Sequence, residues 1–206
     1  MELLVVLAIV AILAAVCVPG ISSMLNSYNL NTTGQAVLGQ LAFARQSAQA
    51  ANKAVQIRFY QISDPGNNSA TKVYRAVQIF REDVNVSGNT VYTPLARPFL
   101  FPVAFACSTL TPGPASANPV NLLATAISGA SSNSTGDATN PLPPPYGTSA
   151  YVYFRFRPTG QTDLAVGTPN LTIYRVNAPV VANNLPANFV TLQVDSVNGT
   201  ARLYQP

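Results

Sequence analysis

The reading of this chain turns on its first stretch, Met1–Gly20, MELLVVLAIVAILAAVCVPG. From Leu3 to Val18 all 16 residues are apolar. Wound as a helix at ~1.5 Å per residue they cover about 24 Å, slightly short of the ~30 Å hydrocarbon core of a bilayer. A cleaved secretory signal carries a basic segment ahead of its apolar run. Here the residue ahead is Glu2, and no Lys or Arg precedes Arg45, so the signal-peptide reading fits poorly. A carboxylate at the border of an apolar helix is costly in lipid unless it is paired. Glu2 therefore either sits at headgroup level beside the free amine or seeks a positive partner on another chain.

Beyond Pro19-Gly20 the pattern turns amphipathic. Ile21, Met24, Leu25 and Tyr28 recur at helical spacing, followed by Val37, Leu38, Leu41, Ala44, Ala48 and Ala51. Asn26 to Gly34, rich in Asn and Thr, is expected to break or thin the helix. Pro19 lacks the N–H and Gly20 adds freedom, so a helix break is expected there too. The expectation is one long kinked helix from about Leu3 to Asn52, its first half in lipid or a filament core, its second half on a globular domain. From Ala54 the period is two: Val55, Ile57 and Phe59 alternate with Gln56, Arg58 and Tyr60. Strands are expected likewise at 73–81, 151–157, 171–176 and 189–195. Asn198-Gly199 then signals a type I′ hairpin returning as 201–204. Residues 109–147, rich in Pro, Ser, Gly, Ala and Asn, read as an exposed insertion with extended polyproline geometry at Pro141 and Pro143–Pro145 and a short helix or strand within 120–127. The parts are then 1–20, an apolar membrane or filament-core helix; 21–53, its amphipathic continuation; and 54–206, a β-rich head.

Composition argues against an enzyme. Asp, Glu, Lys and Arg make up 9% of the 206 residues, and there is no His, which removes the commonest general base and metal ligand. Cys17 and Cys107 are too few for a disulfide scaffold or a four-ligand zinc site, and both read as free thiols. No catalytic residue, metal ligand or cofactor is expected. The net charge of +4 is spread over eleven Lys and Arg with no run of three, which favours ordinary solubility charge over a nucleic-acid footprint. Asn31, Asn67, Asn85, Asn133, Asn170 and Asn198 each head an N-x-Ser/Thr triplet, a pattern that an Asn- and Thr-rich surface produces by chance.

Glu2, the apolar run behind it and Pro19 seventeen residues on resemble the start of type IV pilins and type II secretion pseudopilins. The resemblance implies an α+β, pilin-like fold: a long N-terminal kinked helix packed on an antiparallel sheet, of the GspH/FimT kind. Phe156-Arg157-Pro158-Thr159-Gly160-Gln161-Thr162-Asp163-Leu164, the stretch from Pro186 through Asp195 and Asn198-Gly199 to Pro206, and Leu38 to Gln46 are similar to the Verru_Chthon cassette protein D family. In pilins a basic leader ending in glycine is cut by prepilin peptidase, the new N-terminus is methylated, and three more residues separate the cut from the glutamate. The present sequence has Met1 directly before Glu2, so a trimmed chain or a start at an internal methionine is expected.

What the resemblance implies for function is a structural subunit of a pilus-like or pseudopilus filament. It polymerises with copies of itself through Glu2, Leu3, Leu4, Val5, Val6, Leu7, Ile9, Ile12 and Leu13. Glu2 would neutralise a neighbour's terminal amine, and Pro19 and Gly20 would give a hinge for packing or a membrane-boundary break. The inner membrane before assembly, a periplasmic or extracellular filament after it, and the peptidase and assembly machinery as partners are implied in the same way. The alternative is a minor, tip-located or membrane-anchored binding module. Its possible ligand face is Tyr151, Tyr153, Arg155 and Arg157, which share one side of a strand and suit DNA or another surface ligand.

Overall fold

A computed structural model of the chain describes residues 2–63, 72–109, 121–124, 129–176, 185–186 and 188–205, without the side chains of residues 2, 4, 8 and 11–23. Helix α1 spans Glu2–Ala51, 50 residues and about 75 Å at the helical rise. It ends where Asn52 takes φ 51°, a left-handed turn that asparagine tolerates. The Lys53 N–H closes the cap by donating to the Ala48 carbonyl at 3.3 Å.

The Asn26–Gly34 stretch does not break the helix as expected; it is helical throughout. Two features override its weak propensity. The hydroxyls of Thr32 and Thr33 donate back to the carbonyls of Tyr28 and Asn29 at 2.9 and 2.8 Å, so they do not compete for the ladder elsewhere. Leu30, Thr33 and Gly34 are buried against the head, and tertiary packing outweighs propensity. The helix also runs through Pro19 and Gly20. Proline there removes a single hydrogen bond, to the carbonyl four residues back, and the rest of the ladder carries the helix past it.

Among the described residues ten strands form one antiparallel sheet: β1 Val55–Ile62, β2 Val73–Val84, β3 Thr90–Pro94, β4 Phe99–Leu100, β5 Phe105–Ser108, β6 Ser131–Asn133, β7 Tyr151–Phe156, β8 Asn170–Arg175, β9 Phe189–Val194 and β10 Ala201–Tyr204. The order is β10-β9-β8-β5-β2-β1-β7-β6, and β3 and β4 share the edge of β2 with β5. The chain is thus α+β, one long helix packed on a large antiparallel sheet. Register follows the alternation in the sequence: Ile57 lies opposite Ile79 and Phe154, and Phe59 opposite Val77 and Val152. These side chains face α1, whose buried positions Leu30, Val37, Leu41, Ala44 and Ala48 complete the core with Ile173, Val190 and Leu192. Burying each large aliphatic group there is worth about 2 kcal/mol. Gly34 lets the helix approach closely, since a Cβ at that position would lie 2.9 Å from Val190 Cγ1 and 3.0 Å from Leu203 Cδ1.

The opposite face is not open to solvent. Gln56, Arg58 and Tyr60 of β1 are buried, because residues 129–150 fold across them. Most residues of 129–147 are themselves exposed, but the segment is packed down on the sheet: β6 pairs with β7, and Leu142 packs with Tyr60, Phe80 and Tyr151 in a second core. Leu142 and Gly147 bridge across a turn where an extended polyproline run was expected. Within 120–127, only 121–124 are described; Asn121 makes a single parallel bridge to Asn170 and a turn follows it.

The β9–β10 connection forms the expected hairpin with a different turn. Asp195 accepts from the amides of Val197 and Asn198 at 2.9 and 3.3 Å. Gly199 alone in the turn takes a left-handed φ, +67°, whereas a type I′ turn needs two such residues. The Gly199 backbone also meets Gly160, whose carbonyl oxygen would lie 2.0 Å from a Cβ at Gly199. Thr162 ties the same two turns together by donating its N–H and its hydroxyl to the Ser196 carbonyl, each at 3.1 Å.

Candidate functional site

The described apolar side chains of the first half of α1 lie exposed. Leu3 is 79% exposed, Leu7 63% and Met24 77%, and Val5, Val6, Ile9, Val10, Leu25 and Tyr28 are exposed as well. Of the residues expected to drive assembly, Leu3, Val5, Val6, Leu7 and Ile9 are therefore presented outward. Glu2, Leu4, Ile12 and Leu13 lie on the same helix, and their side chains fall outside the described set. Among the described residues the head meets α1 from about Ser27, whose hydroxyl accepts from Asn188 Nδ2 at 2.9 Å. Among the described residues no helix is long and apolar enough to cross a membrane.

The Tyr/Arg side of β7 is dispersed. Tyr151 is buried, its ring 5.2 Å from that of Tyr60 and 5.8 Å from that of Tyr153. A base could stack on it only by displacing the covering segment. Arg155 donates through Nε to Asp163 Oδ2 at 2.8 Å, and its Nη1 lies 3.6 Å from Glu82 Oε1. The Asp163 bond raises the Arg155 pKa further. Burial pushes the Glu82 carboxyl upward, and Arg155 only partly offsets it. Tyr153 is half-buried, and Arg155 and Arg157 are exposed, so that face presents its arginine end to solvent and not its tyrosine end.

The other charges are largely spent inside the head. Asp83 accepts from Lys53 Nζ at 2.6 Å, from Arg81 Nε at 2.9 Å and from Thr93 Oγ1 at 3.0 Å. The bonds from Lys53 and Arg81 draw its pKa down to about 2. Asp137 pairs with Arg58 at 2.7 Å. Burial would raise the Asp137 carboxyl, but the bonds from Arg58, Asn140 and the Thr139 amide hold it below the usual range. Burial pushes the Tyr60 hydroxyl up to about 12 against the pull of Arg58 beside it. Arg58 was legible only as a polar position in an alternating strand; nothing local to it signalled burial, since its partner Asp137 is 79 residues away.

Cys107 is free and buried, and burial pushes its thiol up, so it is no nucleophile. The Cys17 side chain lies outside the described residues. Among the described residues no group of three or more His, Cys, Asp or Glu could hold a metal. A pocket of about 210 Å³ opens beside Tyr74, Cys107, Ser108 and Tyr174, at the end of the sheet where α1 leaves it, and none of the expected site residues lines it.

No family model matches the chain, and no curated protein matches it. Among solved structures, that of the minor pseudopilin EpsH from the Type 2 Secretion System of Vibrio cholerae is similar to it at 9% identity. The match covers 86% of this chain and 98% of that one, with a TM-score of 0.44.

Proposed function

We propose that the chain is a subunit of a pilin-like filament that assembles through the free half of α1. The observation that carries this reading is the exposure of Leu3, Val5, Val6, Leu7, Ile9 and Val10 on a helix whose other half is seated in its own head. Six apolar side chains over two helical turns leave no polar face for water. Such a segment is stable where it is surrounded: in lipid before assembly, and among the same segments of other copies afterwards. Glu2 sets the register by pairing with a neighbour's terminal amine, because an uncompensated carboxylate in that core costs several kcal/mol. Pro19 and Gly20, where the ladder lacks one bond, are where the helix bends or opens as the segments pack. Processing by prepilin peptidase, methylation and the inner-membrane stage belong to the same proposal.

The test is cryo-EM of filaments sheared from cells, paired with filament yield from cells carrying Glu2→Ala. The proposal expects the chain to tile a filament with α1 in its core. It also expects Glu2→Ala to suppress assembly while the head keeps its fold. Filaments built from another protein, or a normal yield with Glu2→Ala, would overturn it as a major subunit.

A second reading, a minor or tip subunit that binds an anionic ligand, is favoured by the charge distribution. Among the described residues Arg157, Arg175 and Arg202 are exposed and in no ion pair, whereas of the acids Glu82, Asp83, Asp137 and Asp163 are paired and Asp195 alone is not, being taken up by hydrogen bonds of its own turn. If DNA is the ligand, affinity falls steeply as salt rises; binding unaffected by salt would sink that version.

A further inference from the structure

Arg58 takes no part in assembly through α1, and its surroundings differ from those of a surface arginine. It sits mid-strand in β1 with a relative exposure of 0%. Its guanidinium carbon lies 4.0 Å from the ring centre of Phe80 and 4.6 Å from those of Tyr92 and Tyr151. Three strands, β2, β3 and β7, thus supply aromatic walls to one planar cation. Nε donates to Gln56 Oε1 on the same strand. Nη1 donates to Asp137 Oδ2 at 2.7 Å, while Nη2 is buried and makes no close hydrogen bond among the described residues; the Tyr60 hydroxyl, the other side-chain oxygen acting on the guanidinium, makes none either.

Two facts about Asp137 matter. It comes from the covering segment, not from the sheet, so every wall of the cage stands without it. It also offers the cage one oxygen only. Its Oδ1 is committed to its own turn, accepting from the amides of Thr139 and Asn140 at 2.9 and 3.3 Å. An arginine fork is matched by a carboxylate that meets two of its nitrogens at once. The resident carboxylate therefore leaves one buried donor unmet, a deficiency that a free-standing carboxylate would repair.

We propose that Arg58 and its aromatic walls form a preformed carboxylate-binding site on the outer face of the sheet, that Asp137 is its built-in occupant, and that an acidic ligand takes the site when residues 129–150 lift. The segment is suited to lifting. Its two ends are fixed, Ala130 in the main core and the Ala150 carbonyl accepting from the Gln61 amide at 2.8 Å; between them it is held by the short pairing of Ser131–Asn133 with β7, by Leu142 and Tyr146 and by this ion pair, and a mostly exposed stretch held in this way opens below the global unfolding free energy.

The test uses the full chain in detergent with Asp137→Ala. Sodium acetate and the blocked peptide Asp-Ala-Thr-Asn, the sequence of residues 137–140, are titrated against sodium chloride at equal ionic strength. The melting midpoint and the Arg58 Nε–H signal in nitrogen-15 NMR are followed. Both carboxylates should shift the Arg58 signal saturably and restore the lowered midpoint, chloride should do neither, and Arg58→Met/Asp137→Ala should respond to none. Tighter binding of the peptide assigns the natural ligand to an acidic protein side chain, and tighter binding of acetate to a small carboxylate. A response shared by chloride or by the double variant, or no saturable response in a folded protein, overturns the proposal. Should Asp137→Ala fail to fold, Asp137→Asn keeps the acceptor for Thr139 and Asn140. In that variant the Leu142 amide should exchange with solvent about tenfold faster or more than in the unaltered chain, and acetate should speed it further. Unchanged exchange, or no effect of acetate, overturns it equally.

Discussion

One helix meets two environments in this protein. From Leu30 onward its buried positions fall at 30, 33, 34, 37, 41, 44 and 48, the spacing of three and four that puts one stripe on one sheet. Toward the N-terminus, Leu3, Val5, Val6, Leu7, Ile9 and Val10 are all more than half exposed and cover about 200° around the axis; the remaining sector falls to positions 4, 8 and 11, which are Leu, Ala and Ala in the sequence. A stripe needs one partner, and the head provides it. A helix that is apolar all round needs partners on all sides, which its own domain cannot supply. The fold is therefore self-sufficient at one end of α1 and incomplete at the other.

Substitutions along the helix should separate the two halves sharply. Leu41→Ala leaves a cavity under the sheet and should cost about 3 kcal/mol of head stability, read as a lower denaturant midpoint. Val6→Ala should leave that midpoint unchanged, and equal effects at the two positions would erase the distinction. The two glycines of the seated half should move stability in opposite directions. Gly34→Ala drives a methyl against Val190 and Leu203 and should cost about 1–2 kcal/mol. Gly39→Ala meets nothing within 4 Å and should gain up to about 1 kcal/mol, the propensity difference in a helix interior. The smallest expected effect lies where the helix hands over to the sheet. The Asp83 carboxyl is held at about 2 in the folded state. A lowered carboxylate pKa contributes stability that is present above the unfolded value near 4 and is lost as pH falls through the folded value. Lys53→Ala should move the Asp83 titration upward in carbon-13 NMR, and an unmoved titration would mean that Lys53 contributes nothing there.

What could be read from residues alone followed from how local each signal is. The α+β layout, the long helix and strands β1, β2, β7, β8, β9 and β10 rest on periodicity within a few residues. Strand β3 carries no such signal: its five residues are mostly exposed and end in Pro94, as an edge strand does. All four residues of β5 are buried, so alternation is absent by construction. The Asn- and Thr-rich stretch of α1 was misleading because its helicity is settled by contacts with β9 and β10, remote in sequence. The motif-like segments around Gly160 and Asn198-Gly199 were visible as strings, yet that they touch one another and the helix at Gln49 depends on the sheet order. Arg58 is the clearest case: an alternating strand predicts a solvated side chain, and it takes the rings of Phe80, Tyr92 and Tyr151 together with the return of residues 129–150 to bury it.

The hairpin between β2 and β3 offers a practical handle. Its tip is closed by Asn85 alone, whose Oδ1 accepts from the amides of Ser87 and Asn89 at 3.0 and 2.9 Å, and Val86 beside it stands fully in solvent. Lengthening such a loop costs only about 0.6 kcal/mol per doubling. A peptide tag or a fluorophore-bearing cysteine placed between Ser87 and Gly88 would therefore leave both halves of α1 undisturbed, and would let individual subunits be counted and followed in living cells as they join or leave an assembly.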